Sequence, residues 1–264
     1  MRRSSSESEI ISLKNIAPIQ AGGSSKGCMS KYCIDEVWYK EDSVGYESLA
    51  EVLSYRAASL TNAITPLVCY ELVLLQYANK SLHRGCKSVS YLNEGDTEIT
   101  LRRIVERIYK RKIVSESDYF LEAIQILQKH YGQSVIDQLS CLFQLDRVLI
   151  NGDRHMNNIV LRNSKEIISF DYGDALGADI TYEFPESLTA HECISVARAK
   201  PTLKTHDRQC ELLKEFSSFE LRIQTSCMKV SDLRALVDET ALSRMCNILR
   251  LQFEKYLGTK LVFI

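Results

Sequence analysis

The 264-residue chain lacks several features that would assign it to common classes of protein. It has no apolar run approaching the roughly 18 residues that a membrane span requires, so a soluble, cytoplasmic protein is expected. The start, MRRSSSESEI, has two arginines with no apolar segment behind them and does not predict a secretory signal. The formal net charge of −1 gives no overall field that would attract nucleic acid, so we expect no direct nucleic-acid binding.

The cysteine pattern argues against both a zinc site and a disulfide framework. The chain has nine of them, an odd number, and they are scattered without a CxxC pair or a Cys/His cluster at zinc-finger spacing. In a cytosolic protein such a set indicates reduced thiols. Internal repeats and low-complexity linkers are lacking as well, and the 45% hydrophobic and 25% charged content is typical of a globular chain.

What the sequence does contain divides into two parts of different texture. Residues 15–93 predict a small mixed α/β lobe, preceded by an N-terminal tail over residues 1–14. Within this lobe, CMSKYCIDEVWYKED predicts two short strands around an Asp-Glu turn, and GYESLAEVLSYRAASLTNAI has the apolar spacing of an amphipathic helix. Segments 65–78 and 86–93 predict further strands, because β-branched and aromatic residues dominate them.

Residues 94–264 predict a second, mostly helical lobe. Two short strands joined by the turn RNSKE interrupt the helices, at 158–163 and 167–171. A basic segment, RRIVERIYKRK, is expected to form a solvated helix face. The overall fold class is therefore α+β with two lobes, and helices are predicted over 98–112, 118–131, 134–150, 208–224 and 231–257.

Two short polar motifs, INGDRHMNN and SFDYG, lie around the predicted hairpin. Because antiparallel strands place the start of one beside the end of the other, Asn158 is expected near Asp171, with Asp153 in the preceding loop. Amide and carboxylate oxygens suit Mg²⁺, and a further carboxylate can orient a hydroxyl, as phosphoryl transfer requires. Each residue alone could be a cap or turn residue. The order Asp-x4-Asn followed by Asp-aromatic-Gly favours the functional interpretation.

The N-terminal lobe then has to supply contacts to a nucleotide. Lys40 follows a predicted strand and could reach phosphates, although a lone lysine in this position is more often a surface residue. Glu47 and Glu51, four residues apart on the next helix, could each hold that lysine by an ion pair. A small-residue loop that is not a Walker A motif precedes them and could present backbone N–H groups to phosphate; it consists of Gly22, Gly23, Ser24, Ser25, Lys26 and Gly27.

Taken together, GSSKG, WYKED, YESLAEVL, INGDRHMNN and FDYGDAL resemble the HipA-like kinases, which are protein Ser/Thr kinases, over about residues 15–180. The GDRHxxNI and FDYG pair is also similar to the phosphatidylinositol kinase superfamily, which shares the fold. The resemblance implies a two-lobed protein-kinase-like fold that uses ATP and Mg²⁺. It implies Asp153 as the catalytic base, Asn158 and Asp171 as the Mg²⁺ ligands, and Lys40 as the lysine on the ATP phosphates.

The same resemblance implies several finer features. The purine would meet the backbone near Tyr91 and Leu92, while Arg154 and His155 would brace the catalytic loop. The substrate would be a protein with a Ser or Thr acceptor, and the kinase would inhibit itself by autophosphorylation at Ser24 or Ser25 of the loop over 22–27. HipA toxins have an additional small N-terminal subdomain for which this sequence has no counterpart, so an antitoxin-like partner stays open.

Three alternatives remain beside the protein kinase. A lipid kinase would need a basic, membrane-facing segment after Asp171, and the sequence there, DYGDALGADITYEFPESLTAHE, is acidic. A small-molecule phosphotransferase can use a similar Asp-x4-Asn motif. A non-catalytic binding module with the same fold is the weakest alternative, because all three catalytic positions are filled.

Overall fold

The computed structural model describes residues 9–19, 30–42, 45–112, 119–184 and 187–264. The strands are β1 Ile10–Ser12, β2 Lys31–Ile34, β3 Val37–Glu41, β4 Glu71–Gln76, β5 Leu82–Val89, β6 Glu98–Thr100, β7 Val160–Arg162, β8 Glu166–Ile168, β9 Cys227–Met228 and β10 Val262–Phe263. The helices are α1 Glu47–Ser59, α2 Leu101–Tyr109, α3 Phe120–Tyr131, α4 Gln133–Leu149, α5 Ala178–Glu183, α6 Ala190–Ala199, α7 Pro201–Leu213 and α8 Glu239–Leu257, with a 3₁₀ turn at Met156–Asn158.

The N-terminal lobe is a curled sheet covered by one helix. Among the described residues, the sheet has five strands in the order β1-β4-β5-β3-β2. The predicted Asp-Glu turn is confirmed: Asp35 and Glu36 join β2 to β3 with φ of 48° and 65°, the left-handed conformations of a tight hairpin. Helix α1 is also confirmed, and its buried apolar side packs against β4 and β5. One N–H of its first turn is bonded from outside the helix, because the Asp42 carboxylate accepts the Ser48 N–H at 2.7 Å.

One part of the predicted N-terminal tail belongs to the sheet, which is a correction. Residues 10–12 form β1 and pair in parallel with β4, with Ile10 opposite Leu74. Leu13, directly after the strand, is buried in a small cluster that includes Tyr32 and Val73. The segment is therefore ordered by burial of its apolar residues against the sheet, a contact between distant parts of the chain that local sequence patterns do not reveal.

The C-terminal lobe is built around α4, which packs against α3, α7 and α8. Its core contains fully buried leucine and isoleucine side chains and an edge-to-face pair between Phe120 and Phe143, whose ring centroids are 5.1 Å apart. On one side of α4 lies a short antiparallel sheet of β6, β7 and β8. The predicted RNSKE turn is confirmed as the connection between β7 and β8, with Asn163 and Ser164 in left-handed conformations.

Several predicted helix boundaries were wrong, and local capping explains the differences. The helix predicted over 208–224 is α7, which begins at Pro201, a residue suited to the first helical position because it has no N–H to leave unbonded. The helix predicted over 231–257 begins only at Glu239, because the Asp238 side chain caps it by accepting the Ala241 N–H. The segment predicted as helix 98–112 starts as β6 and becomes helical after Thr100, whose side chain accepts the Arg103 N–H.

The two lobes are joined along the strand that leads to Asp171. Val68 donates its N–H to the Ser169 carbonyl at 3.2 Å, and Ser169 donates to the Pro66 carbonyl at 3.0 Å. Through these two bonds, the segment that follows β8 contacts residues 66–68, which precede β4 of the N-terminal lobe. Within the described residues, no helix is both long and apolar enough to cross a membrane.

Candidate active site

Lys40 lies at the centre of the contact between the lobes. It is only 9% exposed, near the end of β3, and its ammonium group donates to Glu51 of α1 and, at 3.0 Å, to Asp171 Oδ1. The ammonium group is also 5.1 Å from the centre of the Tyr70 ring. Burial alone would lower the pKa of Lys40, but the carboxylates of Asp171 and Glu51 outweigh it and raise the pKa well above its usual range. Lys40 is therefore held as a cation, not left as a surface lysine.

The structure also distinguishes the two candidate glutamates. Glu51 has no exposed surface, and its second oxygen accepts the Tyr172 N–H at 2.9 Å. Glu47 lies one turn earlier on α1 and does not form the ion pair with Lys40, so its predicted place beside the lysine is taken by Glu51. Burial raises the pKa of Glu51 more than the Lys40 ammonium lowers it. The glutamate depends on Lys40 to remain ionised in this environment.

Asp171 follows β8 and has a left-handed backbone, with φ of 63°. Aspartate tolerates this conformation better than most residues, and here it turns the carboxylate toward Lys40. Burial would raise the pKa of Asp171, but the positive charges of Lys40, Lys31 and Arg154 together hold it well below its usual range. A carboxylate that is fully ionised and partly shared with a lysine has the properties of a ligand for a divalent cation.

The loop that carries Asp153 is braced by a buried ion pair. Arg154 and Asp146, at the end of α4, have side chains that are 0% and 1% exposed, and they are joined by two hydrogen bonds of 2.8 and 3.1 Å. Arg154 Nη1 donates to the carbonyls of Asn158 at 3.0 Å and Phe170 at 2.8 Å. One guanidinium thus ties the start of the hairpin to its end. The expected bracing role of Arg154 is seen, and its two bonds hold together the backbones of Asn158 and of Phe170, the residue before Asp171.

Asp153 itself points away from this buried network. Its side chain is 53% exposed, and its Oδ2 lies 3.9 Å from Nε2 of the His155 ring. The backbone around it is fixed: its N–H donates to Asn151 Oδ1 at 3.2 Å, and its carbonyl accepts from Asn158 Nδ2 at 3.1 Å. Burial raises the pKa of Asp153, His155 lowers it, and the nearby charge of Asp171 raises it again. Asp153 thus presents an accessible carboxylate.

Asp174 is an acidic residue of the site that the sequence motifs did not single out. It lies three residues after Asp171 and is exposed. Although part of the side chain reaches solvent, desolvation by the surrounding protein raises its pKa to about 6, and the charges of Asp153, Asp179 and Asp171 add to the effect, while Lys200 opposes them. The acidic run after Asp171 was the available signal. Several carboxylates therefore lie near one another around Asp174.

The predicted purine contacts lie where the lobes are connected. Tyr91 and Leu92 are in the loop after β5, and the Tyr91 ring stacks on Phe170 with centroids 5.8 Å apart. The Tyr91 carbonyl accepts from Arg162, and Ser90 Oγ accepts the Leu92 N–H at 3.2 Å. The Tyr91 carbonyl can accept a second hydrogen bond, so it remains able to bond a purine. The purine contact itself stays a prediction.

The proposed phosphate loop lies outside the described residues. Gly22, Gly23, Ser24, Ser25, Lys26 and Gly27 all fall between the two described ranges 9–19 and 30–42. The residues on either side are paired, because Ile19 donates its N–H to the Lys31 carbonyl at 2.7 Å. Lys31 begins β2, which pairs with β3, and within that pairing Lys31 lies opposite Lys40.

Comparison with known proteins agrees with this geometry at the level of the fold. The chain is similar to the crystal structure of a proinflammatory kinase of Helicobacter pylori, CtkA, with a TM-score of 0.54 and 12% sequence identity over 96% of each chain. This chain has a kinase-like fold. No protein-family model matches it, and no curated protein matches its sequence. The predicted fold class is therefore confirmed, whereas membership of the HipA-like family stays a prediction.

Proposed function

We propose that this protein is an ATP- and Mg²⁺-dependent phosphotransferase that phosphorylates Ser or Thr side chains of a protein, in the manner of a HipA-like kinase. The observation that supports the proposal is the contact of Lys40 with both Glu51 and Asp171, beside the accessible carboxylate of Asp153. In a kinase-like fold, such a lysine holds the phosphates of ATP, and its buried glutamate partner keeps it in place.

The oxygen atoms available in the site suit a magnesium ion. Asn158 uses its Nδ2 to bond the Asp153 carbonyl, so that its amide oxygen is the atom left to act as a ligand. Asp171 contacts Lys40 through Oδ1, which leaves Oδ2. Magnesium takes a few protein oxygens and completes its coordination with water and substrate phosphates, so one amide and one carboxylate are sufficient. The bound ion would neutralise charge on the phosphates during transfer.

The remaining roles follow from exposure and charge. Asp153 has an accessible carboxylate on a loop whose backbone is fixed, so it would accept a hydrogen bond from the acceptor hydroxyl, orient it, and take its proton as the phosphoryl group moves. Lys40, which contacts Asp171, would neutralise charge on the phosphate oxygens of ATP. Arg154 stays in the protein interior, where it fixes the relative positions of the loop and the hairpin.

Two substitutions should separate binding from transfer. Asp171→Ala removes a proposed metal ligand, so it should weaken the binding of Mg-ATP as well as turnover. Asp153→Asn removes the proposed base and spares the nucleotide, so it should keep the affinity for Mg-ATP and lose transfer by a factor of roughly 10² or more. Calorimetry of ATP with and without Mg²⁺, combined with a transfer assay, measures both. Ordinary transfer by Asp153→Asn would show that Asp153 is not the base.

A further inference from the structure

A buried histidine from α7 holds the loop that carries Asp153. His206 is 8% exposed and lies more than 50 residues beyond that loop in the sequence. Its ring Nδ1 is 3.0 Å from the carbonyl oxygen of Asn151, and its Nε2 is 2.6 Å from the carbonyl oxygen of Arg154. The edge-to-face contact with Phe143, at 6.1 Å between centroids, fixes the plane of the ring. Both ring nitrogens therefore face the catalytic loop.

The two carbonyls stand on either side of Asp153. Backbone carbonyls only accept hydrogen bonds; a neutral imidazole donates one such bond and an imidazolium donates two. With one proton the ring donates to one carbonyl and lies against the other, and with two protons it donates to both, so the backbone around Asp153 is held from α7. The loop's own hydrogen bonds, such as that from Asp153 N–H to Asn151 Oδ1, lie within the segment that His206 clamps.

We propose that His206 is a positioning residue for phosphoryl transfer, which acts by holding the backbone on both sides of Asp153. The inference rests on the proposed function, in which Asp153 orients the acceptor. His206 acts through the loop and does not touch the substrate. It also gives α7 a part in the reaction, although the helix lies in the region of the chain that carries none of the recognised motifs.

The expected effect is on turnover and not on nucleotide binding. The contacts of Lys40 with Glu51 and Asp171 involve no atom that bonds His206. A displacement of about 1 Å at a catalytic group can cost on the order of 10²-fold in rate. Loss of the clamp should therefore reduce kcat by about 10-fold to 100-fold and leave the Kd of Mg-ATP within about twofold.

Three substitutions at this position test the proposal. His206→Phe keeps a ring and removes every ring N–H, whereas His206→Asn and His206→Gln place one donor near the positions of Nδ1 and Nε2, respectively. The matched control is His191→Phe, at an exposed histidine of α6. We expect His206→Phe to lose kcat, at least one of the amide variants to recover part of it, and the control to match wild type. Should His206→Phe fail to fold, the amide variants carry the same test.

Hydrogen exchange separates this proposal from the proposed function. Peptides covering residues 150–156 should exchange faster in His206→Phe than in wild type, with no matching change in the β7–β8 hairpin, whether or not the protein transfers phosphate. If wild type transfers no phosphate but the loop loosens, the proposed function fails and the clamp stands. Unchanged exchange and unchanged kcat in His206→Phe would overturn the clamp, as would a loss of Mg-ATP affinity in proportion to the loss of kcat.

Discussion

Removal of the negative charge of Asp146 should destabilise the protein much more than the same change at an exposed ion pair. Asp146→Asn keeps the size of the side chain but leaves the Arg154 guanidinium buried without its counter-ion. The carboxylate now accepts three hydrogen bonds, two from Arg154 and one from Asn151 Nδ2 at 2.9 Å. In the variant, the amide NH₂ would face donors in place of one of the acceptor oxygens, so at least one of these contacts becomes unfavourable.

The magnitude follows from the burial of both partners. Their side chains are 0% and 1% exposed, so water cannot replace the lost interaction. Breaking a buried ion pair by removing one partner costs about 3–5 kcal/mol of unfolding free energy. The chain offers a matched control in Arg56 and Asp232, which also form two hydrogen bonds, but the Asp232 side chain is 47% exposed. Asp232→Asn should therefore cost less than about 1 kcal/mol.

Urea unfolding followed by far-UV circular dichroism measures both variants under identical conditions. A third variant removes both charges, Asp146→Leu with Arg154→Met, and should recover part of the loss because no isolated charge remains buried. Recovery should be incomplete, since Arg154 also donates to the carbonyls of Asn158 and Phe170. If Asp146→Asn lost no more stability than Asp232→Asn, the brace beneath the catalytic loop would not have the role assigned to it.

Two further predictions concern the ionised groups of the site. Lys40→Met should abolish phosphate transfer and also reduce stability, because it leaves Glu51 buried without its partner. The double variant Lys40→Met with Glu51→Gln should regain stability in urea unfolding but should not regain activity. Equal stability of the single and the double variant would contradict this. Folding raises the pKa of Asp174 from 3.8 to about 6. Its favourable contribution to the free energy of unfolding is therefore complete below pH 3.8 and is lost as the pH rises through about 6. Asp174→Asn should therefore match wild type near pH 4 and be more stable at pH 7 without metal, by less than the full shift would give because Asp174 is exposed; a stability difference independent of pH would refute the assignment.

Local patterns were sufficient for much of this fold. The Asp35–Glu36 turn, helix α1 and the RNSKE turn each depend on residues close together in the sequence, and each forms as expected. The antiparallel pairing of β7 and β8 also forms as expected, and Arg154 bonds the carbonyls of Asn158 and Phe170 at the two ends of this hairpin.

Other features depend on contacts that leave no local signature. Glu47 and Glu51 are one turn apart, and only the position of α1 over the sheet decides which of them contacts Lys40. His206 contacts backbone carbonyls, which every residue has, so no motif in the loop indicates its partner. The start of α7 does have a local signature, because Pro201 is its first residue and proline is common at the first position of a helix.

The most direct test of the central claim is transfer of labelled γ-phosphate from ATP in the presence of Mg²⁺ to generic protein, phosphatidylinositol and aminoglycoside acceptors, with Asp153→Asn measured in parallel. The account predicts label on Ser or Thr of the protein acceptor, dependent on Mg²⁺ and lost in Asp153→Asn. Label on the lipid or the aminoglycoside alone would contradict the protein-kinase assignment. Absence of label from every acceptor would contradict phosphoryl transfer itself.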